Sequence, residues 1–350
     1  MSAAVGADDL RHALEERDEP GAAELTAALR TILGEDDSAG WAPELVLLKR
    51  RVYRLRLDAS RTVDSLILKR SEPTIAELNR LVADRWLPAL RLGDRCARLL
   101  ATAADRQGRW VWQIYEDLGD DTLERTPERP RIAATVDLIA SLHLRGTGHA
   151  LLPEVRHYGK DLGLNFFTSN LGDAIRGLED LGRDRYARSE LQRLRDRLLA
   201  RLSPLVSDTP RRAEIFTQAG GPDTLLHGDL WRENAVATVT ADGVRVRLID
   251  WDHVGVGPLT YDLSTFLMRF PPAERSWILC RYREALSLAG RQLPSERELN
   301  TLFETAEYAR FANRVSWAAM AWLSEGAEWV LIEFAEIERW FEEWRPILPE

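Results

Sequence analysis

Cysteine, histidine and long apolar runs are scarce in this chain, and each scarcity excludes a class of protein. The 350 residues include two cysteines, Cys96 and Cys280, and six dispersed histidines. Two cysteines so far apart indicate unpaired thiols in a reducing compartment rather than a disulfide framework. Histidines without ligand spacing do not predict a zinc site. No apolar stretch approaches the roughly 18 residues of a membrane-spanning helix.

Positive charge is also in deficit. The 47 Lys and Arg residues stand against 56 Asp and Glu residues, which gives a net charge of -9. Nucleic-acid binding requires a basic face, so the composition argues against a nucleic-acid partner. The N-terminus has no basic segment followed by an apolar run, so we expect no signal peptide. These features predict a cytoplasmic protein; the sequence does not indicate its oligomeric state.

What the chain does contain is a strand-rich first third followed by helical patterns. Its length and its 45% hydrophobic content predict a globular protein with two domains or lobes. Alternating apolar residues predict strands, and apolar residues at helical spacing predict helices. The predicted strands are 45–48, 52–57, 65–69 and 110–115, and the predicted helices are 22–33, 74–90 and 132–145.

The most informative segment is Leu-Leu-His-Gly-Asp-Leu-Trp-Arg-Glu-Asn at 225–234, followed by Leu-Ile-Asp-Trp-Asp at 248–252. It places Asp229 and Asn234 five residues apart in one loop. Residues 235–250 predict a hairpin with a turn at Ala-Asp-Gly, which would return Asp250 to the side of Asn234. Phosphoryl transfer from a nucleotide uses such a set: one carboxylate orients the acceptor hydroxyl, while a carboxylate and an amide oxygen hold magnesium.

The pattern HGDxxxxN followed by IDW resembles the aminoglycoside phosphotransferase and choline kinase family. The segment Gly-Pro-Leu-Thr-Tyr-Asp-Leu at 257–263 is similar to another stretch of that family. The resemblance implies an α+β, two-lobed, protein-kinase-like fold with a small antiparallel sheet in the N-lobe and a larger helical C-lobe. It also implies ATP-dependent transfer of the γ-phosphoryl group to a hydroxyl of a small molecule, such as an aminoglycoside or an aminosugar, with ATP and Mg²⁺ as cofactors.

The resemblance assigns segments and roles. It predicts a helical extension at 1–40, a nucleotide-binding N-lobe at 41–116 and a catalytic, acceptor-binding C-lobe at 117–350. Asp229 would be the catalytic base, and Asn234 and Asp250 would bind magnesium. Alternate residues of a strand point the same way, so Asp252 is either a further metal ligand or a turn residue. We expect His143 and His227 to be buried residues that shape the loop rather than transfer protons.

The predicted N-lobe offers a lysine and its partner. Lys69 ends an apolar strand, and the resemblance implies that it contacts the α- and β-phosphates, a role that suits a compact ammonium group. A glutamate on the next helix usually pairs with this lysine. Glu77 is the candidate, with Glu72 and Asp84 as alternatives.

Two further segments bear on the nucleotide. The stretch 114–119 resembles the hinge, so the Glu116 carbonyl and the Leu118 amide would face the adenine edge. The turn after the first strand, at residues 49–51, has no glycine to bring backbone N–H groups close to phosphate. Either the turn is a plain basic hairpin, or the side chains of Lys49 and Arg50 replace the missing contacts.

The last 50 residues suggest the acceptor. They hold ten Glu and four Arg residues, which account for six of the nine net negative charges, together with five tryptophans. Carboxylates and tryptophan faces suit ammonium groups and sugar rings, which predicts a cationic, polyhydroxylated acceptor. The alternative is that the tryptophans are core residues and the glutamates a solvated face.

Two other functions fit parts of the sequence. A fructosamine-kinase-like enzyme shares the segment His-Gly-Asp-Leu-Trp, but that branch usually has small residues where this chain has Arg232 and Glu233. A non-catalytic kinase-fold module that binds nucleotide is favoured by the glycine-free turn. Intact Asp229, Asn234 and Asp250 argue against this module.

Overall fold

The structure is a computed structural model that describes residues 7–34, 44–57, 64–183 and 189–349. The chain forms two compact units. The first unit comprises Met1–Arg131 and Glu233–Asp252, and the second comprises Ile132–Arg232 and His253–Glu350. Residues 58–61, between the predicted strands at 52–57 and 65–69, lie outside the described residues, as does part of the predicted extension at 1–40. The predicted boundaries at 40/41 and 116/117 stay predictions.

The described strands and helices are numbered in chain order. The strands are β1 Glu44–Lys49, β2 Val52–Arg56, β3 Ser65–Ser71, β4 Leu99–Ala104, β5 Val111–Glu116, β6 Lys160–Asp161, β7 Asp223–Leu226, β8 Ala235–Thr240, β9 Gly243–Leu248 and β10 Gly255–Pro258. The helices are α1 Ala7–Glu15, α2 Ala22–Leu33, α3 Pro73–Leu81, α4 Leu87–Ala89, α5 Arg129–Gly146, α6 Leu152–Tyr158, α7 Leu164–Leu181, α8 Ser189–Ala219, α9 Thr260–Met268, α10 Pro272–Leu288, α11 Glu296–Glu325 and α12 Val330–Glu343.

The first unit is built on an antiparallel sheet with the strand order β1-β2-β3-β5-β4. Four of these strands occur where the alternation of apolar residues predicts them. Strand β4 was not predicted, because its run of alanines has a low strand propensity. Pairing with β5, from Leu99 opposite Tyr115 to Ala104 opposite Val111, holds it in the sheet.

Helix α2 confirms the predicted helix at 22–33 and ends at Gly34, whose φ of 88° suits a glycine. The predicted helix at 74–90 is interrupted. Between α3 and α4 the chain makes a π-helical turn over Val82–Trp86, and the Leu87 N–H bonds the Val82 carbonyl five residues back. Pro88, which has no N–H to donate, explains why regular α-helical bonding does not continue.

The core of the first unit lies between the sheet and α1 and α2. Trp112 of β5 is fully buried there, and its indole Nε1 donates to the Pro20 carbonyl oxygen at 2.7 Å. Tyr53 packs beside it, with ring centroids 6.0 Å apart. This single polar bond therefore ties the segment that precedes α2 to the centre of the sheet.

The second unit is mainly helical. Helices α7, α8, α11 and α12 share one apolar core, whose fully buried members include Leu178, Leu198, Val315 and Phe334. Helix α11 begins with a capping box between Ser295 and Glu298. Among the described residues, no helix is both long and apolar enough to cross a membrane.

A small sheet and a buried helix complete the second unit. Strand β10 pairs in parallel with β6 and antiparallel with β7. Helix α9 follows β10 almost directly, and all of its residues from Thr260 to Leu267 are buried. Because β7 runs into the His-Gly-Asp segment, the sheet brings α9 beside that loop.

We expect Trp112→Phe to lower the free energy of unfolding by about 1–3 kcal/mol. The Pro20 carbonyl loses the hydrogen bond from the Trp112 indole, and the phenyl ring fills less volume than the indole. Chemical unfolding followed by circular dichroism measures the change. Trp329→Phe is the matched control, since Trp329 is 51% exposed, and it should cost less than about 0.5 kcal/mol. Equal losses in both variants would contradict the structural role of the Trp112 bond.

Candidate active site

The β8–β9 hairpin of the first unit places the predicted magnesium ligands. Its register runs from Ala235 opposite Leu248 to Thr240 opposite Gly243. Just beyond the paired strands, the Ile249 N–H donates to the Asn234 carbonyl oxygen at 2.9 Å. The hairpin therefore carries Asp250 back to Asn234, as the sequence predicted.

Asp250 and Asp252 face the same cation, although not for the reason expected. The strand ends at Leu248, and Asp250 has a left-handed backbone with a φ of 65°. The expectation that both residues lie on one strand is therefore wrong. Even so, Lys69 Nζ lies 2.8 Å from Asp250 Oδ1 and 2.6 Å from Asp252 Oδ1. A strained non-glycine backbone at such a position is typical of functional sites.

Lys49 adds a second ammonium group to this cluster. Its Nζ lies 2.6 Å from Asp250 Oδ2, so the two oxygens of Asp250 accept from different lysines. Burial alone would raise the pKa of Asp250, but Lys69 and Lys49 together hold it well below its usual range. Burial alone would lower the pKa of Lys69, but Asp250 and Asp252 outweigh it and raise that pKa. Lys69 and Asp250 are therefore both ionised at neutral pH.

The residue of α3 that reaches this cluster is Asn79, not Glu77. The Asn79 amide donates to Asp252 Oδ1 at 2.7 Å and to the Ile75 carbonyl at 3.0 Å. Glu77 instead forms an ion pair with Arg80 on the exposed side of α3, at 2.7 Å. This corrects the expected pairing of Lys69 with Glu77, because Glu77 and Asn79 face different sides of the helix.

A cavity of about 270 Å³ in the first unit contains this cluster at one end. Tyr115, Glu116 and Leu118 of the predicted hinge line it, and its apolar walls include Val82 and Leu248. Burial raises the pKa of the Tyr115 hydroxyl, and the carboxylates of the cluster add to the effect. A mostly apolar slot that ends in charged groups suits a nucleobase joined to phosphates.

The backbone after the hinge is fixed by an arginine that the sequence analysis missed. Arg54 of β2 pairs with Asp117 at 2.6 Å and with Asp120 at 2.9 Å. The other bonds of Asp117 are to the Ser65 hydroxyl at 2.7 Å and the Gly119 N–H at 2.9 Å. Arg54 stands between apolar residues in an otherwise buried strand, and a buried charge of that kind requires a partner.

The glycine-free turn forms the rim of a second, basic pocket. Arg51 adopts a left-handed φ of 66°, the conformation for which glycine is the usual choice. Its guanidinium carbon lies 4.4 Å from the ring centroid of Trp110, and that of Arg70 lies 4.6 Å from it. The basic residues that line the pocket are Lys49, Arg50, Arg51, Lys69 and Arg70.

The oxygen donors of the first unit fit magnesium. Asn234 is 8% exposed and supplies an amide oxygen. Asp250 supplies a carboxylate that lines both pockets, and Asp252 supplies one that lines the basic pocket. Magnesium prefers one or two carboxylates and completes its shell with water and phosphate oxygens. Among the described residues, no group of three or more His, Cys, Asp and Glu side chains is placed to hold a metal.

In the second unit, a buried carboxylate shapes the loop that carries Asp229. Asp262 of α9 is fully buried. Its oxygens accept from the His227 N–H at 2.8 Å and from the Gly228 N–H at 2.9 Å. A buried aspartate in an apolar helix was the signal that it serves another segment.

Gly228 is required by the same loop. Its φ is 83°, and a Cβ atom placed there would lie 1.9 Å from the His253 carbonyl oxygen. No side chain fits at that distance. Gly228 therefore lets the chain turn tightly just before Asp229.

His143 continues the network away from the loop. Its Nε2 lies 3.2 Å from Asp262 Oδ2, and its Nδ1 lies 2.7 Å from the Tyr282 hydroxyl. His143 and His227 are both fully buried, as expected, and a structural rather than proton-transferring role stays a prediction. Burial alone would raise the pKa of Asp262, but His143, His227 and the backbone bond from Gly228 lower it.

Arginines pair with several glutamates of the acidic C-terminal segment. Glu304 pairs with Arg212 at 2.7 Å, and Glu333 pairs with Arg314 at 2.7 Å. Further ion pairs join Glu307 to Arg310 and Glu338 to Arg197. Three of its five tryptophans pack against hydrophobic neighbours: Trp322, Trp340 and Trp344. Composition therefore overstated the negative field of this region.

The comparisons with known proteins agree with this geometry. A family model described as the APH phosphotransferase enzyme family matches residues 48–299, which is most of the chain. The chain belongs to this family. No curated protein matches the sequence.

Solved structures show the same fold at low identity. APH(2")-IIia in its GDP and kanamycin complex gives a TM-score of 0.59 at 14% identity, covering 91% of this chain and 98% of that one. An ethanolamine kinase of Plasmodium vivax gives 0.57 at 12% identity, covering 97% and 94%. The choline kinase LicA from Streptococcus pneumoniae gives 0.51 at 14% identity, covering 90% and 99%.

Family membership and fold confirm two predictions. The fold is α+β and protein-kinase-like, with an antiparallel sheet in its N-terminal part and helices in its C-terminal part. The chain is a phosphotransferase of the small-molecule kinase type.

We expect Asp262→Asn to lower the free energy of unfolding by about 1.5–3 kcal/mol, because an amide cannot accept from both N–H groups and His143 at once. The wild-type advantage should shrink in acid. It is present above the ordinary carboxyl pKa of 3.8 and is lost as the pH falls through the lowered pKa of the folded state. Unfolding at several pH values measures both effects.

The control for this prediction is Asp137→Asn, since Asp137 is a half-exposed partner of Arg281 on the surface of the same unit. It should change stability by less than about 1 kcal/mol. A pH-independent difference between wild type and the Asp262 variant would contradict the role of the buried carboxylate.

Proposed function

We propose that this protein transfers the γ-phosphoryl group of ATP to a hydroxyl of a small molecule, such as an aminoglycoside, an aminosugar or a similar compound. The observation that carries the proposal is the cluster at the end of the cavity in the first unit. There Lys69 bridges Asp250 and Asp252 beside Asn234. A nucleoside triphosphate with magnesium requires carboxylate and amide oxygens for the metal and a lysine for the phosphates. The apolar slot offers these groups at its end: two carboxylates, an amide and a lysine.

Each group of the first unit takes a role in this proposal. Glu116 and Leu118 offer backbone groups to the adenine edge, and Lys69 binds the α- and β-phosphates. Magnesium, held by Asn234, Asp250 and optionally Asp252, would neutralise the phosphate charge that develops during transfer. In this proposal, nucleotide and magnesium exchange with existing ion pairs: their binding releases Lys69 and Lys49 from the carboxylates that the lysines now contact.

Lys49 and Arg50 serve the phosphates from the glycine-free turn. Both line the basic pocket next to the metal ligands. In support, Lys49 donates to Asp250, one of the proposed magnesium ligands, which lies 201 residues further along the chain. Side-chain cations there can replace the backbone contacts that glycine-rich turns provide.

Asp229 acts on the acceptor. The loop that carries it is held by Asp262 and turned by Gly228, so the backbone before Asp229 is fixed before substrate binds. In this role it accepts a hydrogen bond from the acceptor hydroxyl, orients the oxygen towards the γ-phosphorus and takes its proton.

The alternatives are weaker. A non-catalytic module would have no need for Asp229 on a loop held by a buried carboxylate, and the glycine-free turn that favours it is supplied with cations instead. A fructosamine-kinase-like enzyme shares the same machinery and differs in acceptor. The acceptor panel described below includes sugars for that reason.

We further propose a cytoplasmic location and the domain organisation given by the family resemblance. ATP is available in the cytoplasm, and Cys96 suits a reducing compartment because it is buried and unpaired, with a pKa that burial raises to about 12. Such a thiol is unreactive. In the proposed organisation, residues 41–116 bind nucleotide and residues 117–350 carry the catalytic loop and acceptor site.

We expect Asp229→Asn to lower kcat about a hundredfold or more while the dissociation constant for MgATP changes less than about twofold, since the carboxylate serves the acceptor and not the nucleotide. Coupled nucleotide-consumption assays and calorimetry measure the two quantities. Asp242→Asn, in the exposed hairpin turn, is the control and should match wild type. Near-normal turnover of the Asp229 variant would remove this residue from the mechanism.

We expect Asp250→Ala to abolish the magnesium dependence of nucleotide binding, because it removes the carboxylate that lies between Lys49 and Lys69. Magnesium relies on few protein carboxylates, so the loss of one weakens it strongly. Calorimetric titration of ADP with and without magnesium measures the effect, and Asn234→Ala should be milder. If magnesium strengthens ADP binding equally in wild type and variant, Asp250 is not the main ligand.

A further inference from the structure

Arg269 is placed beside the catalytic loop without a charged partner. It follows α9 directly, and its guanidinium carbon lies 3.2 Å from the centroid of the Trp231 ring. The backbone N–H of Trp231 donates to the backbone carbonyl oxygen of Asp229 at 2.9 Å. Within the described part of the chain, Arg269 makes no ion pair and its side chain makes no hydrogen bond.

Neighbouring arginines of the second unit are paired. Arg310 donates to Glu307, to the Ser264 hydroxyl and to the Tyr261 carbonyl. Arg314 donates to Glu333 at 2.7 Å. Arg269 therefore contributes a positive charge that its surroundings do not use, close to the residue proposed to activate the acceptor.

Burial makes this arrangement costly in the absence of a ligand. The Nε atom of Arg269 is shielded from solvent and has no hydrogen-bond partner among the described residues. Burial lowers the pKa of Arg269, and the carboxylates of Glu307 and Asp229 oppose that effect only in part. A guanidinium stays charged even so, because its ordinary pKa is above 12.

The aromatic ring prepares Arg269 for a ligand. Trp231 holds the guanidinium against its face, which restricts the side chain without using any of its five N–H groups. The edges of a guanidinium held in this way remain for a planar or tetrahedral anion, which such a group binds with two parallel hydrogen bonds.

We infer that Arg269 binds an anionic group of the acceptor, a carboxylate or a phosphate ester, and so selects for an acidic hydroxyl compound. The inference rests on the proposed phosphoryl transfer to a hydroxyl, and it replaces the aminoglycoside or aminosugar of that proposal with an acidic acceptor. It opposes the cationic acceptor predicted from the composition of residues 301–350, since Glu304, Glu307 and Glu333 are occupied by arginines.

The first test does not depend on turnover. The protein is saturated with MgADP, so that phosphate-binding groups of the nucleotide site are filled, and inorganic sulfate is titrated by calorimetry. Wild type should show a sulfate site, and Arg269→Gln should weaken it about tenfold or more, as expected for lost charge-assisted bonds. Arg269→Lys should keep part of the affinity, because the charge remains.

The control is Arg283→Gln, which removes an arginine paired with Glu296 on the surface of the same unit. It should leave sulfate binding unchanged, and circular dichroism melting confirms that each variant is folded. If Arg269→Gln binds sulfate as wild type does, or if wild type shows no sulfate site, the inference is overturned.

The second test distinguishes the sources of the anion. Gluconate, glucose 6-phosphate, glucose and glucosamine are compared as acceptors at constant ionic strength. The carboxylate or the phosphate arm should have a kcat/KM about tenfold above glucose, and Arg269→Gln should erase that advantage mainly through KM. A preference for glucosamine that survives in Arg269→Gln would overturn the inference and leave the proposed function intact.

The two proposals fail separately. Loss of MgADP binding in wild type would contradict the proposed function, and the sulfate titration would still report on Arg269. If none of the four compounds is phosphorylated, the sulfate result alone decides whether Arg269 is an anion site.

Discussion

The buried carboxylate of Asp262 is the constraint on which the second unit depends. A charge with no exposed surface must be compensated inside the protein. Here the compensation comes from the N–H groups of His227 and Gly228 and from the His143 imidazole. Satisfying the carboxylate in this way fixes the backbone immediately before Asp229. The shape of the loop that carries Asp229 is therefore a consequence of keeping one aspartate in the core.

The first unit meets the same electrostatic requirement with side chains. Asp250 and Asp252 lie close to each other, and like charges at such range repel unless a cation stands between them. Lys69 occupies that position, and Lys49 contacts the far oxygen of Asp250. Because lysines are flexible point charges, they can yield these carboxylates to a metal, whereas the backbone amides that hold Asp262 cannot. The lysine contacts of Asp250 and Asp252 can therefore be replaced, whereas the backbone contacts of Asp262 are permanent.

Local pattern was enough to predict much of this. The hairpin register that joins Asn234 to Asp250, the helix α2 and most of the sheet follow from alternation, turn residues and caps. What sequence could not supply were contacts between distant segments. Asn79 in place of Glu77, the partner of Asp262 and the position of Arg269 over Trp231 depend on how packed elements are rotated. The alanine-rich β4 exists because a neighbouring strand pairs with it.

The turn between β1 and β2 has a consequence for conformational entropy. In the unfolded chain, Arg51 has fewer accessible backbone conformations than a glycine would have, so folding costs less conformational entropy at this position. Its left-handed φ of 66° is nevertheless strained. The cation–π contact of Arg51 with the Trp110 ring, which Arg70 also contacts, offsets that strain. The turn therefore loses its conformational entropy when the protein folds rather than when a ligand binds. A nucleotide that meets an already ordered turn loses less of its binding energy to ordering the protein.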